Sequence, residues 1–463
     1  MSLGFFVALY LLVTLCIGLV AATLIRGSGD FINASRRLPF MLSSMALFAL
    51  WFGSETVFGA SAEFMQHGLL GVIEDPFGGF LCLVLFALFL VRPLYRRNLL
   101  TLGDLFRQHY GARVESVAAI CMILTFVGYI AAQLIALSLL FETVFGLSPH
   151  SGLLLSAVIV TAYTSAGGMW AVSLTDFVQS LVIITGLLLL CVFFTNRVGF
   201  ATLMEPPRAQ FFDFVPTAAN GMSWLDWTAA WLTLGLGSLA SQDIFQRANA
   251  ARSETIAVRS TFCGAFLYLL FALLPLYLGL VVLRLEPQLL QGDTQNALLT
   301  LVSLHAPLWL QVLFYGALIS AIFSTCSGAL LAPSSILAEN LIKPLLRPAA
   351  SDRELLWISR GSVLVMAIIA TVLALNSGNI YDLVAESSIL GAVSILVPML
   401  CALFVPRASA GAALAAMLLG LLAYLWFAYG QTDFPVPAMF MGLLASGFGM
   451  VSGLWLTRRQ AVV

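Results

Sequence analysis

Charge is the scarcest property of this sequence: only 9% of its 463 residues are Asp, Glu, Lys or Arg, whereas 61% are hydrophobic. That shortage excludes an ordinary soluble domain, which must cover its surface with polar groups. The seven cysteines form no CxxC pair and the four histidines have no metal-ligand spacing, so neither disulfides nor a transition-metal site is predicted. No GxxxxGK[ST], GxSxG or HExxH motif is present, which leaves ATP-driven pumping and membrane-embedded hydrolysis without support. Because no Lys/Arg run occurs and the net charge is −1, no nucleic-acid partner is expected.

Long apolar runs are what the sequence has instead. A hydrocarbon core about 30 Å thick needs roughly 20 apolar residues per helical span. The pattern therefore predicts an all-α polytopic membrane protein with about 13 transmembrane helices embedded in the lipid bilayer. The predicted spans are 3–25, 38–66, 71–95, 114–146, 149–166, 176–198, 223–245, 257–283, 307–342, 357–376, 379–405, 408–429 and 436–457.

The positions of the basic residues predict the orientation. The first apolar run has no basic leader and is followed by Arg26, so we expect a retained helix with its N-terminus outside rather than a signal peptide. Assigning loops alternately from that end places all but Arg197, Arg208 and Arg284 of the 21 basic residues on one side. The positive-inside rule makes that side cytoplasmic. We expect a multi-pass protein of the cell (inner) membrane with a cytoplasmic C-terminus.

Ten of the thirteen spans divide into two groups of five. Because five is odd, the second group enters the membrane in the opposite sense to the first, which predicts an inverted five-plus-five helix repeat. The expected organisation is an extra N-terminal helix (1–37), a first repeat (38–198), an external loop (199–222), an inverted second repeat (223–405) and two C-terminal accessory helices (406–463).

The first helix of each repeat carries small and polar residues in mid-span. Gly53, Ser54 and Thr56 interrupt the first, and the sequence 235–247 interrupts the second. Such residues weaken a helix and free its carbonyls, which is tolerated at this depth only beside a cavity. The alternative is close helix packing through small residues. We expect broken helices around a central binding site.

A hydroxyl-rich face lies in the ninth span. Ser324 and Thr325 follow Ala321 by three and four residues, so all three share one helical face. Two hydroxyls and a carbonyl offer a small hard cation a half-shell of oxygens without a full charge in lipid. This pattern predicts an ion site.

Few polar side chains fall inside the spans, so each suggests a role. Glu55 costs on the order of 2.5–3.5 kcal/mol in mid-membrane; it is interpreted as a ligand for a cation or amine, or as a protonated structural acid. Gln133 either lines a cavity or staples helices. Trp51 and Phe52 are candidates for stacking on a solute or for a cation–π contact. No Lys or Arg falls in the middle of a span, so we expect a neutral, zwitterionic or cationic solute, amino-acid-like or amine-like, rather than a simple anion.

Several motifs together resemble the sodium:solute symporters, a family that includes proline, sugar, sialic acid and choline carriers. They are 53–56 (GSET), 101–112 (TLGDLFRQHYGA), 167–179 (GGMWAVSLTDFVQ), 241–247 (SQDIFQR) and 321–330 (AIFSTCSGAL). The resemblance covers essentially the whole chain. It implies a leucine-transporter-type fold and a carrier that imports a small polar organic solute with sodium by alternating access.

The resemblance also implies a main sodium site. In the family, two carbonyls of the first broken helix and a small residue with two hydroxyls on the ninth span hold the ion. The corresponding positions here are Gly53, Thr56, Ala321, Ser324 and Thr325.

A second sodium site occurs in some members of the family. Asp176 and Ser327 match its pattern, whereas Gly328 stands where a serine is expected. By resemblance, then, Asp176 and Ser327 are possible ligands of a second ion.

The substrate-binding positions implied by the resemblance combine features of several branches. Glu55 stands where proline carriers have an aspartate, and the context of Trp51 is similar to the choline branch. Ser241 falls where that branch places a tryptophan, and Gln133 lies near the arginine position of sialic acid carriers. We expect Trp51, Phe52, Glu55, Gln133 and Ser241 to contact the solute.

Two rival interpretations stay open at this stage. Some relatives are transporter-like sensor domains fused to histidine kinases; the sequence ends four residues after Arg459, which argues against an output domain here. The second rival interpretation is a carrier coupled to protons through Glu55. A membrane enzyme finds no catalytic constellation, and the residues do not specify the solute, the sodium stoichiometry or the oligomeric state.

Overall fold

A computed structural model describes residues 3–376, 379–430 and 434–460, and within these ranges the chain is built from helices, with one isolated bridge between Leu38 and Ala251. The α-helices are α1 (Leu3–Ala22), α2 (Ser28–Asn33), α3 (Phe40–Trp51), α4 (Ala60–His67), α5 (Gly79–Leu85), α6 (Val91–Arg96), α7 (Gly103–Tyr110), α8 (Ala112–Phe145), α9 (Pro149–Val198), α10 (Phe200–Met204), α11 (Trp224–Gly237), α12 (Gln242–Asn249), α13 (Glu254–Leu285), α14 (Ala297–His305), α15 (Leu308–Ile336), α16 (Lys343–Leu346), α17 (Asp352–Ala374), α18 (Ile380–Gly391), α19 (Val397–Phe404), α20 (Ala410–Tyr429) and α21 (Ala438–Gln460). Turns of π-helix join several of them, at Glu55–Gly59, Ile73–Gly78, Phe86–Leu90, Leu337–Ile342 and Ala392–Leu396.

Nine helical segments of the described chain are long and apolar enough to cross a membrane, and α3 is a shorter apolar helix. One of the nine, α9, contains two predicted spans. Its backbone kinks at Gly168, where φ is 48° and ψ is −148° and a Cβ would lie 2.5 Å from the Phe31 carbonyl oxygen. The Tyr163 hydroxyl consequently bonds to the Ala171 carbonyl at 3.2 Å, a contact that a straight helix forbids. The polytopic helical class is confirmed, and the count of thirteen spans stays a prediction.

The ninth predicted span, α15, belongs to the most buried of the nine long apolar segments. Every residue from Gly316 to Ile336 is buried. It packs against α3, α8 and α9 at once. Any polar atom in this stretch of α15 therefore faces another helix rather than lipid, which is the arrangement that a buried ion site requires.

The outer faces of the spans are apolar, as contact with lipid tails requires. α20 and α21 pack chiefly on each other at the edge of the bundle. Large hydrophobic side chains that are at least half exposed on these outer faces include those of Val192, Leu270, Ile368, Val372, Leu422 and Phe448.

Both predicted helix interruptions are present. α3 ends at Trp51, and Phe52 adopts φ −88° and ψ 68° before the π turn that starts at Glu55. α11 ends at Gly237, and Ser241 is extended, with φ −84° and ψ 133°, before α12 begins. The two breaks give the broken helices that the sequence predicts.

One expectation about charge is wrong. The sequence predicts that Arg247 lies in a cytoplasmic loop, because it follows the seventh apolar run. In the structure it belongs to the last turn of α12 and its side chain is only 1% exposed, opposite the fully buried Asp176. A positive charge is therefore buried among the helices, held there by a carboxylate partner.

Candidate functional site

The end of α3 leaves carbonyl groups that side chains from three different elements satisfy. A helix terminus has four carbonyls without an intrahelical partner. The Ala49 carbonyl accepts a hydrogen bond from Thr325 Oγ1 at 3.0 Å, and the Leu50 carbonyl accepts one from the Tyr129 hydroxyl at 3.1 Å. The Trp51 carbonyl accepts one from Thr56 Oγ1 at 3.0 Å. The break is thus surrounded by oxygen atoms of α3, α8 and α15.

The hydroxyl face of α15 points into this region. Ser324 Oγ donates to Asp176 Oδ1 in a short contact, while Thr325 reaches the Ala49 carbonyl. Ser327 Oγ instead donates to the carbonyl of Ser324 on its own helix, at 2.8 Å. Ala321 is 1% exposed on the same helix. Two hydroxyls, a carboxylate and a freed carbonyl therefore lie together in a buried space.

The Thr56 side chain lies on another side of the break. Its hydroxyl contacts Asp75 Oδ2 at 2.9 Å and the Tyr268 hydroxyl at 3.1 Å, and Tyr268 in turn donates to Asp75 in a short contact. The Gly53 carbonyl accepts from the Val57 N–H at 3.4 Å. None of these four bonds involves α15. A sodium-binding role for the carbonyls of Gly53 and Thr56 stays a prediction.

A cavity opens beside the two helix breaks. It encloses about 630 Å³, including the part open to solvent. Its described lining contains two carboxylates, hydroxyls from α8, α18 and the second break, aromatic rings and aliphatic side chains, and no Lys, Arg or His. The residues that carry its chemistry are Trp51, Glu55, Phe126, Tyr129, Ser238, Ser241, Asp243, Ser387 and Ser388.

Glu55 is held at the cavity by neutral donors. Gln133 Nε2 donates to Glu55 Oε2 at 2.9 Å, and the Tyr129 hydroxyl lies 3.5 Å from Oε1. Gln133 Oε1 also accepts the Ser54 N–H at 3.1 Å, so this one amide fixes both the carboxylate and the broken backbone. A Cβ at Gly53 would lie 2.7 Å from Glu55 Oε2, which explains the glycine there. The carboxylate has no cationic protein partner among these contacts.

Asp243 is the second carboxylate of the cavity. It lies in the first turn of α12, is 5% exposed, and accepts the Ile244 N–H at 2.7 Å and the Ser241 hydroxyl in a short contact. The helix N-terminus favours a negative charge at this position. The two breaks thus place one carboxylate each at the same cavity.

The predicted solute contacts divide into two groups in the structure. Trp51, Glu55 and Ser241 line the cavity. Phe52 is fully buried and packs against Phe48, with ring centroids 5.3 Å apart. Gln133 is also fully buried and lies outside the described lining of the cavity. Its side chain instead links α8 to the broken end of α3 through its hydrogen bond with the Ser54 N–H.

Sequence reasoning did not predict that the charged groups of Asp75, Asp243 and Arg247 are buried. Asp243 and Arg247 lie in the SQDIFQR motif, and their spacing of four residues was an available signal that both project from one face of α12. Asp75 follows Glu74 directly at the start of an apolar run, which reads as a hydrated span end. Its burial depends on Tyr268 of α13, a contact that sequence spacing does not reveal.

Known proteins are similar to this chain in sequence. The family model described as "Sodium:solute symporter family" matches residues 31–420. The human high affinity choline transporter 1 is 28% identical over 437 residues, covering 90% of this chain and 74% of the relative. The sodium/proline symporter of Escherichia coli strain K12 is 31% identical over 356 residues, covering 73% and 69%.

Solved structures share the fold. A Na+-coupled sialic acid symporter in a substrate-bound outward-open state aligns with a TM-score of 0.85 at 19% identity, covering 98% of both chains. Mhp1, a nucleobase-cation-symport-1 family transporter, aligns with a TM-score of 0.61 at 14% identity over 94% of this chain and 96% of that one. The fold is therefore that of sodium-coupled secondary transporters with broken helices.

By its family match over most of its length, the chain belongs to the sodium:solute symporter family, whose members here are transporters coupled to sodium.

Proposed function

We propose that this protein imports a small organic cation, or a zwitterion bound through its amine, together with sodium by alternating access. The observation that carries the proposal is the charge of the cavity. Glu55 and Asp243 both line it, and no basic side chain does so among the described residues. A carboxylate pair attracts a positive group and repels a plain anion.

Aromatic rings in the cavity support the same solute class. Trp51 and Tyr129 line it beside Glu55, and Phe126 lies in the same wall. The faces of such rings attract organic cations, by about 0.5–2 kcal/mol per contact. The choline and proline carriers among the relatives are transporters of amine-bearing solutes by their names. Choline and proline are therefore the first solutes to test.

For the coupling ion, we propose a site between α3 and α15. Its ligands are the hydroxyls of Ser324 and Thr325 and the carbonyls of Ala321 and Ala49. Support comes from the 3.0 Å contact between Thr325 Oγ1 and the Ala49 carbonyl, since freed carbonyls at a helix break are suitable sodium ligands. The proposed set uses the Ala49 carbonyl, one turn before Gly53, in place of the Gly53 and Thr56 carbonyls that the family resemblance implies.

Coupling between ion and solute follows from the shared backbone. Ala49 contacts α15, whereas the adjoining Leu50 and Trp51 line the cavity. An ion that draws the Ala49 carbonyl towards α15 therefore fixes the wall that the solute contacts. Binding of each then strengthens binding of the other by the same factor.

A binding panel tests this function. Purified protein is titrated with choline, proline, a neutral sugar and succinate by calorimetry, in sodium and in potassium. The proposal expects binding of an amine-bearing solute that is at least tenfold tighter in sodium. Tightest binding of succinate would contradict the solute class. Equal binding in both salts, with tighter binding at acidic pH, would instead favour the proton-coupled alternative through Glu55.

A further inference from the structure

A buried ion pair lies next to the proposed sodium ligands. Arg247 Nε of α12 is 3.7 Å from Asp176 Oδ2 of α9, and the two side chains are 1% and 0% exposed. The other carboxylate oxygen, Oδ1, accepts the hydroxyl of Ser324. Asp176 therefore contacts a proposed sodium ligand with one oxygen and a guanidinium with the other.

The guanidinium fills the space beside Gly328 of α15. A Cβ built on Gly328 would lie 2.7 Å from Arg247 Nη1 and 2.9 Å from Cζ, and closer still to Nη2. Real Cβ atoms do not approach heavy atoms so closely, and the guanidinium is enclosed, so a side chain at position 328 and Arg247 in this position exclude each other. The missing side chain at Gly328 thus leaves the space that the Arg247 guanidinium occupies.

Ser327, the other residue expected at a second sodium site, bonds within its own helix. Ser327 Oγ donates to the Ser324 carbonyl of its own helix at 2.8 Å. At position 328 a glycine supplies no side-chain oxygen. The positions expected from the family resemblance to hold a second sodium therefore offer a carboxylate that is already paired with a cation and a serine bonded within its own helix.

We propose that the Arg247 guanidinium takes the place of a second sodium ion, so that the carrier binds one sodium per solute. The inference rests on the proposed function, because it concerns the stoichiometry of the same sodium coupling. A second sodium ion on the Oδ2 side of Asp176 would add a positive charge next to the guanidinium in a buried space, where like charges repel strongly. In this proposal the positive charge of Arg247, which never leaves the protein, neutralises Asp176 in every state of the transport cycle.

Counting bound sodium tests the proposal directly. Radioactive sodium is titrated against purified, full-length protein with saturating solute, and the number of ions per protein is read from the plateau. The wild type is expected to bind one. Two ions per wild-type protein would overturn the proposal, and this arm needs no variant.

A matched pair of variants tests the role of the guanidinium. In Arg247→Met with Gly328→Ser, the positive charge is gone and a hydroxyl is added, so a second ion is expected at Asp176. In Arg247→Met with Gly328→Ala, the hydroxyl is missing and the second ion should bind at least tenfold more weakly. Arg247→Lys keeps the charge and should still bind one ion. Folding is checked by thermal unfolding, and folded double variants that both bind one ion with wild-type affinity would contradict the assigned role.

Failure of this inference differs from failure of the proposed function. A protein that binds two sodium ions with its solute would still be a sodium-coupled carrier, and only the role of Arg247 would be wrong. A protein whose solute binding ignores sodium would contradict the coupling itself.

Discussion

Thr325 of α15 donates a 3.0 Å hydrogen bond to the carbonyl of Ala49 in the last turn of α3. The bond joins the deeply buried helix α15 to the helix that breaks at the cavity. A sodium ion binding between these two oxygens would replace one hydrogen bond with ion contacts on both. The relative position of α3 and α15 then depends on whether the ion is bound, which is what sodium-driven alternating access requires.

Truncating that hydroxyl should weaken sodium binding. Thr325→Ala removes one ligand and leaves the Ala49 carbonyl without its donor, so the sodium concentration for half-maximal solute binding should rise about tenfold or more. Thr325→Ser keeps the hydroxyl and should stay near the wild type. Ser335→Ala is the matched control, because that buried hydroxyl bonds only to the Leu331 carbonyl of its own helix. Wild-type sodium dependence in Thr325→Ala would contradict the ion site.

Neutralising the cavity carboxylate should weaken binding of a positively charged solute. Glu55→Gln keeps the size of the side chain and its bond with Gln133 but removes the charge, so affinity for a cation should fall about tenfold or more, the effect of a lost charge-assisted contact. Calorimetry in saturating sodium measures this. Glu63→Gln is the control, since Glu63 follows on α4 and lies outside the described cavity lining. If both variants bind the solute equally well, the carboxylate does not contact it.

A substitution at Gly79, which packs against the Trp51 ring, tests whether the position of that ring matters for solute binding. A Cβ at Gly79 would lie 2.7 Å from Trp51 Cζ3 and 3.1 Å from Tyr268 Cε1. Gly79→Ala should therefore push the indole into the cavity and lower solute affinity severalfold, without changing any lining residue. Gly361→Ala is the control, because nothing lies within 4 Å of a Cβ there and alanine favours the helix. Unchanged affinity in Gly79→Ala would mean that the solute does not depend on this ring.

The orientation in the membrane is testable with two exposed loop positions. Ala209 lies in the loop predicted to be outside, and Ala349 lies in one predicted to be cytoplasmic. A single cysteine at position 209 should react with a membrane-impermeant maleimide in intact cells, whereas one at 349 should react only after the cells are opened. The reverse pattern would invert the whole topology, and labelling of both in intact cells would contradict the span assignment between them.

The sequence predicted the helix breaks because their cause is local. Gly53, Ser54 and the glycines of α11 weaken a helix wherever they occur, so both interruptions could be placed before the structure was known. The shared face of Ser324 and Thr325 follows equally from helical spacing. Membrane class and family membership follow from composition and motifs that cover most of the chain.

Contacts between distant helices could not be predicted in the same way. That Thr325 meets Ala49 rather than Gly53 depends on how far α15 is shifted along α3, which sequence spacing does not specify. The burial of Arg247 depends on Asp176, 71 positions earlier in the sequence. Gln133 left two roles open, and only its two bonds, to Glu55 and to Ser54, show that it staples the break.

Sodium-driven uptake into proteoliposomes tests the central claim most directly. Purified protein is reconstituted, and accumulation of radiolabelled choline and proline is followed with an inward sodium gradient, with an equal potassium gradient, and with sodium at equal concentration on both sides. We predict that an amine-bearing solute accumulates above its external concentration only with the sodium gradient, and that Thr325→Ala abolishes most of this accumulation. Accumulation that is equally large in potassium, or that occurs only for a plain anion, would contradict the account.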